Sequence, residues 1–336
     1  MVFDFLPKET LRIADRVSAA NQISWCYIGI RAKFVRVFHS DCYPLDLPPG
    51  HRFPISKYGL LRQELLDRNI IQSDDFVETP LATKDQLLRV HTQTYVDAFM
   101  SGDLDVSAQR RIGLPWSEQL VNRCLASVGA TVAAARTAVK MGVSGALSGG
   151  THHSFEDRGE GFCVFNDIAV AIRELQYTGQ VKRVLIVDLD VHQGNGNAKI
   201  FQSDPSVFTF SMHGAKNFPF RKEVSDLDVP LHDGIGDDEY LEALSSVWPD
   251  VLHNFDCDLV FYQAGVDVLN KDAFGRLKLS HEGIKKRDRL ILEAVRAQRL
   301  PIVLTLGGGY AKPIQSSVLA YAGTYEVATE VYGDAW

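Results

Sequence analysis

Five short apolar segments recur from residue 143 onward: VSGALSG (143–149), RVLIVDLD (183–190), SVFTFSM (206–212), DLVFYQAG (258–265) and PIVLTLGGG (301–309). Stretches with helical spacing lie among them, notably FNDIAVAIRELQ, DDEYLEALSSVWPDVL and EGIKKRDRLILEAVRAQ. A strand that is apolar on both faces must be covered on both faces. Its alternation with amphipathic helices therefore predicts an α/β fold, a central parallel sheet with helices on either side. Upstream, FVRVF (34–38) reads as a further strand, and YGLLRQELLDR (58–68) as a helix. DQLLRVHTQTYVDAFM (85–100) reads as one helix with Thr83 as its cap. A loop around GLPWS leads to a long helix over 117–142 that ends at Gly142. Without repeats or low-complexity linkers, residues 35–336 are predicted to be one domain. Residues 1–34 stand apart as an extension of unknown role, in which IADRVSAANQISW has amphipathic spacing.

Each of the five strands runs into a polar or glycine-rich loop: SGGTHHSFEDRGEGFCVFND, DLDVHQGNG, SMHGAKNFPF, QAGVDVL and LGGGY. In a parallel α/β sheet the carboxyl ends of the strands share one edge, where ligands bind. The five loops are thus expected to meet in one active-site crevice.

The sharpest of them is VLIVDLDVHQGNG (184–196). Asp188, Asp190 and His192 are spaced by two, so on an extended chain they share a face. Crowded carboxylates need a positive partner. A divalent cation held by Asp190, His192 and Asp267 answers this and leaves a coordination position open. An Asp-x-His-x-Asp order would supply a second ion, but the residue two beyond His192 is Gly194, so one catalytic metal is expected. Zinc and ferrous iron both suit such a ligand set.

His152 and His153 are adjacent and diverge, so they fit a base and an acid better than two ligands of one metal. Asp188 and Asn195 are at hand to orient them. Tyr310, after three glycines, can present a phenol to a developing oxyanion. Phe162 and Phe218 can wall a narrow apolar tube. Together these parts describe hydrolysis of an amide at the end of a slender chain by metal-activated water.

Bulk properties set limits. A formal net charge of −7 with no long basic run disfavours direct nucleic-acid binding and suits cationic partners such as lysine-rich peptides or amines. No stretch approaches the ~18–20 apolar residues of a membrane span. MVFDFLPKETLRIADRV lacks the basic-then-apolar order of a signal peptide. The five cysteines, Cys26, Cys42, Cys124, Cys163 and Cys257, form no CxxC pair and are expected to be reduced. A cytoplasmic protein is expected.

The motifs GGTHHSFEDRGEGFCVFND, DLDVHQGNG, QAGVD and LGGGY together resemble the zinc-dependent histone deacetylase family, from about Val35 to the final helix. HSDCYPLDLPPGHRFPISKYGLLR, GLPWSEQLVNRC, DDEYL and GRLKLSHEGIKKRD are most similar to its class IV branch. The resemblance implies the arginase–deacetylase fold, with zinc on Asp190, His192 and Asp267. It implies His153 as general base and His152 as its partner, the latter leaning on Asp188 and the former on Asn195. Some relatives have aspartate where Asn195 stands, which implies a less basic His153 here. It implies Tyr310 as carbonyl-polarising group and an acyl-lysine tunnel walled by Gly161, Phe162 and Phe218. It also implies a structural potassium at Asp188, Asp190, His192, Ser211 and Met212, mainly through backbone carbonyls. Several relatives carry methionine or leucine where Phe274 stands, so the tunnel mouth is expected to be narrowed or reshaped. Relatives that act on polyamines place a glutamate gate near that position, and Phe274 is no such gate. The expected activity is hydrolysis of acetyl or longer fatty acyl groups from lysine in a peptide or protein, with acetylpolyamines as the rival substrates.

Overall fold

The computed structural model describes residues 35–333, so the extension and its amphipathic stretch lie outside the described residues. Eight strands form one sheet: β1 (Arg36–His39), β2 (Phe76–Glu78), β3 (Val143–Ala146), β4 (Val184–Asp188), β5 (Val207–Gly214), β6 (Leu227–Leu231), β7 (Leu259–Gln263) and β8 (Ile302–Thr305). Their order is β2-β1-β3-β8-β7-β4-β5-β6, and every neighbouring pair is parallel. The central strands β3, β8, β7 and β4 therefore present their carboxyl ends side by side.

Side-chain alternation along these strands feeds two cores. In β4, Val184 and Ile186 join one cluster while Leu185 and Val187 join the other. The first cluster is completed by Leu125, Val128 and Val132 of α5 (Glu118–Met141) and by Ile168 and Ile172 of α6 (Asp167–Tyr177). The second is completed by α1 (Lys57–Asp67), α8 (Asp237–Asn254), α9 (His281–Ala297) and α10 (Gln315–Tyr332), through Leu61, Leu244, Ile291 and Val318 among others. Each such aliphatic side chain taken out of water contributes about 1.5–3 kcal/mol. The doubly covered parallel sheet matches the expectation from the apolar runs. Gly142 ends α5 with φ +90°, a conformation that costs glycine little.

The stretch 85–100 is two helices rather than one: α2 (Lys84–Leu87) and α3 (Gln93–Ser101). Thr83 caps the short first helix through a capping box with Gln86. Thr92 then begins the second, accepting from the Tyr95 amide. Between them the chain is drawn out of helix, because Thr92 N–H donates to Glu156 O (2.9 Å) and His91 Nε2 accepts from Asn166 N–H (3.0 Å). Two further short helices, α4 (Val106–Ile112) and α7 (Asn195–Phe201), and the edge strands β2 and β6 were not predicted. Edge strands lack the all-apolar signature, and β6 even contains Pro230. No helix among the described residues is long and apolar enough to cross a membrane. The four described cysteines are free thiols.

Candidate active site

The loop after β4 turns back across the sheet edge and sets Asp190 and His192 facing Asp267, which follows β7. Donor atoms of the three lie within 4.8 Å of one another. His192 Nδ1 is 3.0 Å from Asp190 Oδ1 and 3.0 Å from Asp267 Oδ2. Backbone amides aim the carboxylates. Asp190 Oδ2 accepts from Gly308 N–H (2.7 Å), and Asp267 Oδ1 accepts from Val191 N–H (2.9 Å). Asp267 Oδ2 is buried and accepts no hydrogen bond. It has lost hydration, and His192 Nδ1, 3.0 Å away, is shared with Asp190 Oδ1, a deficit that a cation between the three side chains would repair. A Cβ at Gly308 would stand 1.8 Å from that oxygen, so glycine is required for the approach. Burial, then the charge of Asp190, pushes Asp267 up to about 7, so the pair calls for a positive partner. The residues fit a divalent cation, and zinc or ferrous iron suits the donor set.

The two histidines after β3 sit with ring centroids 4.1 Å apart and are oriented differently. His152 Nδ1 is 2.7 Å from Asp188 Oδ2, and His153 Nδ1 is 2.6 Å from Asn195 Oδ1. Burial opposes charge on His152, but the carboxylates of Asp188 and Asp190 outweigh it and hold its pKa above the ordinary histidine value. His153 has only a neutral amide behind it. Burial, with the charges of His152 and His192, pushes it well below that value. Gly194 fits this pairing tightly, since a Cβ there would lie 2.4 Å from Asp188 Oδ2. The carboxylate of a second-ion site therefore has no room at this position.

Tyr310 follows β8. Its phenol has no hydrogen-bond partner among the described residues, while its ring meets Phe274 (4.8 Å between centroids) and Phe162 (6.1 Å). Gly161, Phe162, Phe218 and Phe274 line one pocket together with His153, His192 and Tyr310. Phe218 stands edge-on to His153 at 4.9 Å. Phe162 holds φ +67°, a strained conformation for a bulky residue. It is kept there by its own N–H to Ile112 O (2.8 Å) and by Gly161 N–H to Arg111 O (3.1 Å). All five loops expected to meet do so. Ser211 lies beside Asp188 in the β4–β5 register, with Met212 next to it.

Four comparisons bear on this arrangement. The histone deacetylase domain family matches residues 51–324.

The chain belongs to the histone deacetylase family.

An uncharacterized protein of Picosynechococcus is 45% identical over 299 residues, covering 89% of this chain and 99% of its own length. Histone deacetylase 2 of Arabidopsis thaliana is 30% identical over 306 residues, covering 85% of this chain and 77% of that one. The crystal structure of a histone deacetylase homologue from Aquifex aeolicus superposes with a TM-score of 0.76 at 26% identity, covering 90% of this chain and 85% of that one. Membership makes this chain a hydrolase of the histone deacetylase type with the α/β fold described above.

Several residues around this deacetylase-family site escaped the sequence reading. Arg287 of α9 is fully buried and donates to Leu189 O (3.2 Å) and Gly265 O (2.7 Å), clamping the loops that carry Asp190 and Asp267. Its charge is met by Asp288, which also accepts from Tyr262 OH (2.5 Å). Lys57 is buried at the other side, donating to Gly307 O (3.1 Å) with its Nζ 5.2 Å from the Tyr310 ring centroid. Glu160 accepts from Asn195 Nδ2 (2.6 Å), which fixes the amide so that Oδ1 faces His153. Only the helical spacing of 282–298 hints at any of these, by placing Arg287 and Asp288 among Ile284, Ile291 and Val295 on the buried face.

Proposed function

We propose that this chain is a metal-dependent lysine deacylase that hydrolyses N-ε-acyl-lysine. The observation that carries the reading is the inequality of the two imidazoles beside the Asp190–His192–Asp267 triad. His153 donates its Nδ1–H in a hydrogen bond to Asn195 Oδ1, so Nε2 keeps a lone pair for a proton from water. His152, whose pKa Asp188 and Asp190 raise against the effect of burial, is the imidazole suited to give a proton to the departing lysine amine. The C–N bond breaks, the water oxygen joins the acyl carbon, and carboxylate and free amine leave. Tyr310 donates its phenolic hydrogen to the carbonyl oxygen as negative charge grows there. A divalent cation on the triad would polarise that carbonyl and lower the pKa of a water. Phe162, Phe218 and Phe274 exclude bulk water and grip the methylenes of the lysine. Structural potassium belongs to the same proposal, with Asp188, Asp190, His192, Ser211 and Met212 as its holders.

A cavity that reaches Asp190, His192 and Tyr310 is also lined by Leu45, Leu114, Leu120, Val164 and Phe165, with Arg123 and Ser127 beside them. It gives an acyl chain longer than acetyl somewhere to go. The test is one lysine peptide carrying acetyl, octanoyl or myristoyl groups, with a chelator control. A rate that peaks at acetyl marks a deacetylase, and one that rises with length marks use of the cavity. His153→Ala and Tyr310→Phe are each expected to lower kcat by about 10²–10³-fold. Absence of turnover throughout, with bound metal confirmed, would transfer the reading to small acylated amines.

A further inference from the structure

The mouth of the aromatic pocket carries a charge opposite to that of the whole chain. Arg52, Arg110, Arg111, Lys216 and Arg276 line it, and Glu160 is the only acidic residue lining it among the described residues. That carboxylate is turned inward to Asn195. Arg276 is paired with Asp233 (3.2 Å), but the other four cations are exposed and have no carboxylate within ion-pair distance among the described residues. The formal net charge is nevertheless −7. Arg110 and Arg111 close α4, where a cation offsets the helix dipole. That explains neither Arg52 nor Lys216, which come from separate loops.

The cations are fixed to the pocket rather than scattered over a surface. The backbone of Arg111 accepts from Gly161, so α4 is tied directly to the tunnel wall. The Arg52 guanidinium rests over the Phe274 ring, 5.4 Å from its centroid. Lys216 precedes Asn217, whose Nδ2 donates to Phe274 O (2.8 Å). A substrate lysine threading between Phe162 and Phe218 would place its flanking residues among these four charges.

We infer that the rim selects an acidic peptide segment, an acyl-lysine flanked by aspartate or glutamate. The inference rests on the deacylase reading and gives it a substrate class. Unpaired cations around the pocket mouth attract carboxylates and repel lysine-rich or polyamine substrates. The lysine-rich partner suggested by net charge is therefore the wrong sign for this mouth.

The experiment uses acyl-lysine peptides identical except for flanks of Asp/Glu, Asn/Gln or Lys/Arg, with an acetylated diamine alongside. Binding is read by anisotropy of a neutral fluorophore, and turnover by kcat/KM, at low and high salt. The acidic peptide is expected to exceed its amide counterpart by about tenfold in both at low salt, with the ratio shrinking as salt screens the rim. In an Arg110→Glu/Arg111→Glu variant, where Arg52 and Lys216 face two new carboxylates, the ratio is expected to fall to about one. Because each ratio is taken within one enzyme, partial loss of folded protein does not mimic it. Turnover of all peptides with a wild-type ratio near one, or a ratio unmoved by charge reversal, overturns the inference and leaves the deacylase reading standing. Charge-ordered binding without turnover supports the rim and overturns the reading. Preference for the acetylated diamine overturns both.

Discussion

The floor of the pocket and its rim use charge in opposite ways. On the floor, Asp188, Asp190 and Asp267 are buried, and backbone amides, imidazoles or the clamped loops around Arg287 fix almost every polar atom. At the rim, Arg52, Arg110, Arg111 and Lys216 are exposed and unpaired among the described residues. A buried charge without its partner is costly, so the floor has one tolerated arrangement. An exposed charge costs little and is screened, so the rim can adjust who enters without disturbing what happens below.

This contrast predicts a descending order of effects. Asp267→Ala removes one carboxylate of the proposed metal triad, and loss of stoichiometric metal with a fall in kcat/KM of about 10³-fold or more is expected. Metal analysis beside kinetics checks it, and turnover close to wild type would break the floor's half of the comparison. Arg287→Met touches no reacting group but strands Asp288 in the core. A stability loss of about 3–5 kcal/mol is expected in urea unfolding, partly recovered in Arg287→Met/Asp288→Leu. Equal losses in the single and double variants would show packing rather than stranded charge.

A third prediction concerns pH. His91 braces Asn166, whose side chain holds Ser154 O (3.1 Å) behind the histidine pair. Burial drives its pKa down to about 4, against about 6.5 when unfolded. The depressed value means that its contribution is complete above about pH 6.5 and is lost as pH falls from there through 4. The loss amounts to about 3 kcal/mol. His91→Gln is expected to flatten that portion of the stability profile, and an unchanged profile would remove His91 from the floor. The smallest effect is expected at the rim. Arg52→Gln should lower kcat/KM for an acidic peptide by about two- to fivefold and make its salt dependence shallower, with stability within about 0.5 kcal/mol.

The sequence was most informative where chemistry and periodicity coincide. Asp190, His192 and Asp267 stand at strand ends, so spacing by two and the parallel-sheet rule bring them together. His152, His153 and Tyr310 are placed by the same logic. Arg287, Lys57 and Glu160 were not legible, because a charge whose partner lies far along the chain has no local pattern that announces that partner. The helix over 85–100 failed for a related reason, since its break answers to Glu156 and Asn166. The rim shows the limit of bulk charge. A sum over the chain gave −7 and suggested cationic partners, whereas the charges nearest the site have the other sign.

Lys57 carries a consequence for how divisible this protein is. Its ammonium lies against the rings of Tyr58, Tyr310 and Tyr321 and reaches a carbonyl 250 positions along the chain. No contiguous fragment shorter than 57–307 contains both ends of that bond, and the triad and histidines lie between them. The site thus has no half that could be exchanged, split or inherited alone. New sequence can enter only at loops that leave both ends of that bond in place.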